Sequence, residues 1–189
     1  MSEVTAHTPL LIWGPVKSGK TSDLIREAKR FSVRGLEIVT VKHVWDQRAH
    51  DSEGLLRSRD GTEIASSVVT DSLDLHEIVG IRRPPVVIAI DEGQFFGDQL
   101  VPFIDAAVLL GHRVLVAALN ADFRRQPFAC ISLLAGRAQV RALCAICQRC
   151  GADAVHSKKV GGDKSKVIEV DGDGITYEPR CTACYVAAD

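Results

Sequence analysis

The chain has 189 residues, of which 46% are apolar and 25% are charged, and its formal net charge is −1. This length allows one domain of about 100–150 residues with a short second module, and the near-neutral charge excludes a global attraction to nucleic acid or anionic lipid. No apolar run reaches the roughly 18 residues of a membrane span, and residues 1–8 lack the features of a secretory leader. We therefore expect a cytoplasmic protein with reduced thiols and no membrane partner.

The beginning of the chain predicts a strand, a glycine-rich loop and a helix. Residues 10–13 form an apolar run, and residues 20–31 carry apolar side chains at helical spacing. Between them the sequence GPVKSGKT matches the phosphate-binding pattern G-x-x-x-x-G-K-[ST] at every specified position. In such a loop, backbone N–H groups surround the phosphates, the lysine adds charge and the last hydroxyl can ligate Mg²⁺. The predicted nucleoside triphosphate site consists of Gly14, Pro15, Val16, Lys17, Ser18, Gly19, Lys20 and Thr21.

Three later runs of β-branched residues predict strands at 36–41, 86–90 and 114–118. They lack clean alternation, as expected for strands that are covered on both faces. A helix predicted over residues 99–110, with Asp98 as its N-cap, connects the last two strands. Alternating strands and helices predict an α/β fold with a mainly parallel sheet and with ligands at the carboxyl ends of the strands. Those ends lie just after Trp13, Val41, Ile90 and Leu119.

Two adjacent carboxylates follow the strand predicted at residues 86–90. Asp91 has the position of the acid that helps to hold Mg²⁺ in phosphate-loop proteins. Glu92 beside it can serve as a base for an attacking hydroxyl or water, although a surface turn would also explain an acid at this place. The pair therefore predicts phosphoryl transfer chemistry close to the phosphate loop.

Five of the six cysteines lie within residues 144–189, which suggests a boundary between a domain at 1–143 and a small module at 144–189. Cys147 with Cys150, and Cys181 with Cys184, have the C-x-x-C spacing of a closed, structural Cys₄ zinc site. Cys144 and Cys147 share this spacing, so spacing leaves the first pair open, and disulfides are the alternative. Valines, isoleucines and glycine turns between the pairs predict a β-rich module. We interpret Cys130 and Cys144 as buried apolar residues.

Together these features resemble the zinc-containing (type II) thymidine kinases of bacteria and animal cytosol over nearly the whole chain. The resemblance is carried by the phosphate loop, by DEGQFF at residues 91–96, by residues 117–119 (AAL) and 124–128 (RRQPF), and by the late cysteine pairs. It implies a P-loop domain followed by a zinc-binding lasso domain that closes over the nucleoside. It also implies transfer of the ATP γ-phosphoryl group to the 5′-hydroxyl of thymidine. Deoxyuridine is a second candidate acceptor.

The resemblance assigns roles to individual residues. Glu92 would take the proton from the 5′-hydroxyl, and Arg48 of a D-x-R element at residues 46–48 would help Lys20 to neutralise phosphate charge. It also selects Cys147, Cys150, Cys181 and Cys184 as the zinc ligands. The residues expected to contact the nucleoside are Val16, Phe95, Leu119, Phe123, Ser157, Val170, Gly172 and Tyr177.

Some positions depart from the family pattern, among them Lys17, Ala49, Ser157 and Lys159. Lys159 stands where an arginine is frequent, and it can supply charge but no bidentate fork. The resemblance also implies feedback binding of thymidine triphosphate and assembly as a homotetramer or homodimer.

A P-loop ATPase with a nucleic-acid-binding zinc ribbon is the alternative, based on the lysines at positions 158, 159, 164 and 166. The faint negative charge of the whole chain speaks against it, and we expect no nucleic-acid partner. A third interpretation is a nucleotide sensor without turnover, against which the intact Glu92 argues.

Overall fold

The computed structural model describes residues 7–45, 54–70, 72–80, 82–161, 165–166 and 176–186, except for the side chains of residues 72, 73 and 78. Residues 10–142 contain β1 (Leu10–Gly14), α1 (Lys20–Ser32), β2 (Ile38–His43), β3 (Leu55–Arg57), β4 (Glu63–Ala65), β5 (Ser67–Val69), α2 (Ser72–Gly80), β6 (Val87–Asp91), a 3₁₀ segment (Gly93–Gln99), α3 (Leu100–Leu109), β7 (Arg113–Leu119), α4 (Ala129–Ala135) and β8 (Gln139–Ala142). Residues 145–186 contain β9 (Ala145–Ile146), β10 (Asp153–Ala154), β11 (His156–Val160), β12 (Thr176–Arg180) and α5 (Thr182–Val186).

Six strands form one sheet in the order β5-β2-β6-β7-β1-β8, and all of its neighbouring pairs are parallel. This confirms the predicted α/β fold with a mainly parallel sheet flanked by helices. Because the strands are parallel, the loops that follow β1, β2, β6 and β7 all leave the same edge of the sheet. That edge is where the sequence places the phosphate loop and the two carboxylates.

The two faces of the sheet bury separate apolar clusters. Along β1, Leu11 belongs to the cluster that includes α3 and α4, whereas Leu10 and Ile12 belong to the cluster that includes α1. β6 alternates in the same way, with Ile88 on one face and Val87 on the other. Since both faces are covered, nearly every strand position is apolar, and this is the reason that the sequence lacks alternation.

The predicted strands and the first helix are present with shifted boundaries. β2 begins two residues after the predicted start at residue 36 and continues to His43, because Lys42 and His43 pair with β5 and β6. The helix predicted over residues 99–110 is α3, and it ends one residue early.

The prediction that Asp98 caps this helix is wrong. Asp98 lies inside the 3₁₀ segment, Gln99 occupies the N-cap position, and no side chain there makes a capping hydrogen bond. Gly97, with φ of 58° and ψ of −149°, makes a kink inside the 3₁₀ segment, three residues before α3 begins. Asp98 and Gln99 follow this kink within the segment, so Asp98 stands one residue before the N-cap position.

Residues 54–80 form elements that the sequence pattern did not predict. β3 and β4 form a short antiparallel hairpin, β5 adds to the edge of the main sheet, and α2 follows. The strands have three residues each, which is too short for a hydrophobic period to show. None of the helices in the described part of the chain combines the length and the apolar character needed to cross a bilayer.

The module after residue 144 consists of two antiparallel hairpins, β9 with β10 and β11 with β12, followed by α5. This agrees with the predicted β-rich character. Within its described residues, the apolar core consists of Ala145, Cys147 and Ala154, with Cys181 and Cys184 packed against them. The exact division at residues 143 and 144 stays a prediction.

We expect Gly93→Ala to destabilise the protein by about 1–3 kcal/mol, because overpacking a tight core forces its neighbours to move. A Cβ at position 93 would lie 2.6 Å from Cγ1 of the fully buried Val116. Urea unfolding measures the change. Gly80→Ala is the matched control, because a Cβ there meets no atom within 4 Å, and its free energy of unfolding should stay equal or rise slightly. Equal stabilities for the two variants would contradict the packing argument.

Candidate active site

The phosphate loop leaves the end of β1 through positions that demand glycine or a left-handed backbone. A Cβ on Gly14 would lie 2.5 Å from the carbonyl oxygen of Leu143, so only glycine fits where the chain after β8 crosses the loop. Lys17 and Gly19 have φ of 60° and 84°. Left-handed residues at alternate positions turn successive backbone N–H groups towards the same side, which makes an anion-binding concavity in front of α1.

The polar side chains of the loop are arranged for a triphosphate and a cation. Lys20 is buried and donates from Nζ to the carbonyl oxygen of Pro15 over 2.7 Å, which holds its ammonium across the loop. Thr21 donates from Oγ1 to Oδ2 of Asp91 over 2.9 Å, and both residues are buried. A hydroxyl and a carboxylate at this distance are the oxygen ligands that Mg²⁺ prefers. The residues therefore fit a magnesium nucleotide.

A cavity of about 680 Å³ begins at the loop and follows α1. Ser18, Gly19, Asp60 and Leu143 line it, and Lys29 is one of three basic side chains of α1 on its wall. Oγ of Ser18 is buried and makes no hydrogen bond within the described residues. Hydrogen bonds from Ser58, Thr62 and Ser22 hold the pKa of Asp60 well below its usual range, so this carboxylate is ionised beside the cavity.

Glu92 stands immediately after β6 in a left-handed conformation, with φ of 50° and ψ of 45°. Its Oε2 accepts a hydrogen bond of 2.6 Å from Nε2 of Gln94. Oε1 of the same glutamine accepts the backbone N–H of Leu119 over 3.0 Å. One amide thus connects the predicted base, after β6, to a predicted pocket residue at the end of β7.

Phe95 lies in an aromatic cluster that sequence reasoning did not identify. The ring of His43 is 5.6 Å from that of Phe95 and 5.1 Å from that of Trp45, while Trp45 and Phe95 are 5.8 Å apart. Nδ1 of His43 accepts the backbone N–H of Trp45 over 3.2 Å. The cluster forms an aromatic wall at the end of β2.

Phe123 is presented by a tight turn that Asp122 holds together. Oδ1 of Asp122 accepts the backbone N–H groups of Arg124 and Gln126, each over 2.8 Å. The guanidinium of Arg124 lies 5.3 Å from the Phe123 ring centre, and Nζ of Lys159 lies 5.1 Å from it. Cations at this distance from an aromatic ring attract it electrostatically, which restrains the ring from the side of the small module.

The small module contacts the phosphate loop and the Phe123 turn directly. The backbone N–H of Val16 donates to Oγ of the buried Ser157 over 3.1 Å. Tyr185 of α5 donates its hydroxyl hydrogen to the carbonyl oxygen of Phe123. Tyr177 is half-buried on β12, in register opposite Lys159. The structure thus brings Val16, Ser157, Phe123 and Tyr177 into one connected region.

Lys159 is buried, and its Nζ donates to the carbonyl oxygen of Lys166 over 3.1 Å, besides facing the Phe123 ring. Arg124 donates to the carbonyl oxygen of Ser165 over 2.7 Å. These two bonds attach residues 165–166 to the site. Three predicted site residues, Arg48, Val170 and Gly172, lie outside the described residues.

Four cysteine sulfurs converge at the base of the small module. The Sγ atoms of Cys147, Cys150, Cys181 and Cys184 all lie within 4.8 Å of one another, and those of Cys150 and Cys181 are 3.6 Å apart. Zinc–sulfur bonds of about 2.3 Å give a thiolate tetrahedron with edges of about 3.8 Å. The cluster therefore fits one tetrahedral ion and resolves which cysteine starts the first pair.

The neighbouring groups shift the pKa values of two of these thiols in opposite directions. Backbone N–H donation, first from Cys181, lowers the pKa of Cys147 to about 6. Hydrogen bonding with Cys150 and the other neighbouring sulfurs raises the pKa of Cys184 to about 12. A divalent cation stabilises all four thiolates at once, so its binding would release protons.

The interpretation of Cys144 as a buried residue is wrong, whereas that of Cys130 is confirmed. Cys144 is exposed and stands outside the sulfur cluster, because the chain there runs over the surface between β8 and β9. Cys130 is buried in the cluster below α4, and burial raises the pKa of its thiol. All six cysteines are free thiols in this structure.

The family model and the relatives found by comparison with known proteins agree in their description. A family model described as "Thymidine kinase" matches residues 8–185, a range that contains the phosphate loop, both carboxylates and both cysteine pairs. The thymidine kinase of Deinococcus deserti is 34% identical over 189 residues, which cover 93% of this chain and 93% of that protein. The thymidine kinase of Myxoma virus is 38% identical over 176 residues, with coverage of 93% and 94%. The human protein named "Thymidine kinase, cytosolic" is 34% identical over 176 residues, with coverage of 93% and 71%.

We expect Cys150→Ser to remove most of the bound zinc and to lower Tm by about 5–10 °C, because a site of four thiolates that loses one ligand holds the ion more weakly and metal binding stabilises the folded module. Metal analysis of the purified protein and thermal unfolding measure the two effects. Cys144→Ser is the matched control and should keep one zinc per chain with an unchanged Tm. Loss of zinc in the Cys144 variant, with zinc retained in the Cys150 variant, would contradict the ligand set.

Proposed function

The chain belongs to the thymidine kinase family, and from this membership we propose how its residues carry out the reaction. The protein is an ATP-dependent phosphotransferase that acts on thymidine. The proposal is supported above all by the Thr21–Asp91 hydrogen bond of 2.9 Å, which joins the phosphate loop to the strand end that carries Glu92. A nucleotide cradle and a carboxylate base therefore lie beside each other at one edge of the sheet.

The donor triphosphate would lie along the N–H groups of residues 14–21, with Lys20 near its terminal phosphates. Thr21 and Asp91 would hold Mg²⁺, which supplies charge neutralisation and orients the phosphates when it is bound. The cavity along α1 has room for the adenosine part, and the ionised Asp60 on its wall can accept hydrogen bonds from hydroxyl groups. Arg48 would contribute further positive charge.

We assign the role of general base for the acceptor hydroxyl to Glu92. Its carboxylate takes the proton of the thymidine 5′-hydroxyl as that oxygen attacks the γ-phosphorus of ATP. The bond from the γ-phosphorus to the bridging oxygen breaks, and the products are thymidine monophosphate and ADP. Phosphoryl transfer demands positioning more than covalent help, and fixed strand ends meet that demand.

The thymidine base would lie between the wall formed by Phe95 and the Phe123 turn. Val16, Leu119 and Ser157 would line the pocket, and Tyr177, Val170 and Gly172 would close it from the small module. The Val16–Ser157 bond supports this arrangement, because it places the module against the phosphate loop. Closure excludes water, which would otherwise compete as the acceptor.

Zinc would be bound by the four clustered cysteines and would be structural, since four thiolates leave no open position for a water molecule. Its effect on the site would be indirect. Tyr185 is adjacent to Cys184 and bonds to the carbonyl of Phe123, so an ordered zinc module orders the turn that carries Phe123.

The nucleic-acid-binding ATPase is not favoured. All three relatives described above are thymidine kinases, and Lys159 is buried with its ammonium turned towards Phe123 and Lys166. A buried lysine does not contribute to a surface patch that attracts phosphates.

We expect Glu92→Gln to lower kcat by about 10²–10⁴, because a carboxamide cannot accept the 5′-hydroxyl proton. Formation of thymidine monophosphate from labelled thymidine measures the rate. Glu77→Gln, an exposed glutamate on α2, is the control and should leave kcat unchanged. A kcat of the Glu92 variant within a few fold of the wild type would refute the base assignment.

Feedback binding, assembly as a homotetramer or homodimer and a cytoplasmic location stay predictions. We expect thymidine triphosphate to raise the apparent KM for thymidine and to leave kcat unchanged, because its nucleoside part would enter the same pocket. Initial rates at several inhibitor concentrations test this, and light scattering of the purified protein gives the assembly. A lowered kcat with unchanged KM would place the inhibitor elsewhere.

A further inference from the structure

Gln94 is a buried polar side chain that contacts Glu92 and that the reaction scheme does not use. Its exposed fraction is 4%, and its amide connects the ends of two parallel strands. On one side it meets the carboxylate of Glu92 over 2.6 Å, and on the other the backbone N–H of Leu119 over 3.0 Å. Both neighbours belong to the proposed acceptor site.

The orientation of this amide follows from its partners. The N–H of Leu119 is an obligatory donor, so it must face the carbonyl oxygen of the glutamine. The amide NH₂ then faces Glu92, whose ionised carboxylate accepts hydrogen bonds and cannot donate them. The contact is therefore a charge-assisted hydrogen bond, which is stronger and more directional than a neutral one.

Glu92 needs such a restraint because its backbone leaves the regular strand. Its φ of 50° lies in the left-handed region, which non-glycine residues adopt only at an energetic cost. A rotatable side chain on a turn would sample several directions unless a second group held it. Gln94 is within reach of that carboxylate and is itself held by the end of β7.

We propose that Gln94 is a positioning residue that holds the Glu92 carboxylate towards the acceptor hydroxyl and keeps it in register with Leu119. The proposal rests on the proposed base role of Glu92. A single side chain then links the base to the wall of the nucleoside pocket, so the distance between them is set by one amide. Loss of this side chain should lower the rate of the chemical step and leave the affinity for ATP unchanged.

Gln94→Met tests this, because methionine has a similar shape and can neither donate to Glu92 nor accept from Leu119. We expect kcat to fall about 10- to 100-fold, as a misplacement near 1 Å costs about 10² in rate. The KM for ATP and the zinc content should stay unchanged. Gln99→Met, an exposed glutamine at the end of the same 3₁₀ segment, is the matched control and should keep the wild-type kcat.

A double-mutant cycle separates positioning from a general loss of structure. If Gln94 acts through Glu92, adding Gln94→Met to Glu92→Gln should lower kcat by less than about twofold further, because interacting sites are not additive. An equal loss in both backgrounds, or a wild-type kcat in Gln94→Met alone, would overturn the proposal. A near-wild-type kcat in Glu92→Gln would instead overturn the proposed function itself, so the two failures are distinguishable.

If Gln94→Met does not fold, Gln94→Glu replaces it in the same cycle. The carboxylate at 94 can still accept the N–H of Leu119, whereas two adjacent carboxyl groups must share a proton and leave Glu92 less able to accept another. We expect a loss of kcat in the single variant. The Glu92→Gln/Gln94→Glu pair, in which the amide and the carboxylate exchange places, should fold with a Tm near that of the wild type and be no slower than Glu92→Gln. A rate of the exchanged pair far below Glu92→Gln would overturn the proposal.

Discussion

The active site depends on the parallel pairing that brings the ends of β1 and β6 to the same edge of the sheet. β7 lies between these strands, so the phosphate loop and the two carboxylates come from strands that do not touch. The buried bond from Thr21 to Asp91 spans this gap and connects the start of α1 to the end of β6. Glu92 is the next residue after Asp91, so this junction also sets where the proposed base leaves the sheet.

The described residues of the small module have a core of three small buried side chains, Ala145, Cys147 and Ala154. Burial of such small side chains contributes little free energy. Four thiolates on two turns would add stabilisation when a metal binds. The module then reaches the site through a few polar contacts, of which the Val16–Ser157 and Tyr185–Phe123 hydrogen bonds are the most direct. Such contacts are weak individually, which is compatible with the proposed role of the module as a lid over the nucleoside.

The errors of prediction share a cause. Asp98 has the sequence pattern of an N-cap, but it lies inside the 3₁₀ segment after the kink at Gly97, one residue before the N-cap position of α3. Cysteine is a residue type that is often buried, and Cys144 also has the spacing of a metal ligand, yet Cys144 is exposed. Gln94 stands inside a motif that was recognised, but no pattern along the chain shows that its amide meets Leu119, which is 25 residues away. Local patterns describe neighbours in sequence, and each of these outcomes was decided by a neighbour in space.

The sequence by itself determined the fold class, the phosphate loop, the two carboxylates and the cysteine pairs, because each depends on residue types at short, fixed spacings. Strands buried on both faces and a G-x-x-x-x-G-K-T loop can be recognised from a short stretch of consecutive residues, without the rest of the chain. Spacing alone left the first cysteine of the cluster open, and only the tertiary structure shows how the small module meets the phosphate loop and which side chain bonds to Glu92. Those features depend on distances between residues far apart in the chain, and no pattern of consecutive residues records such distances.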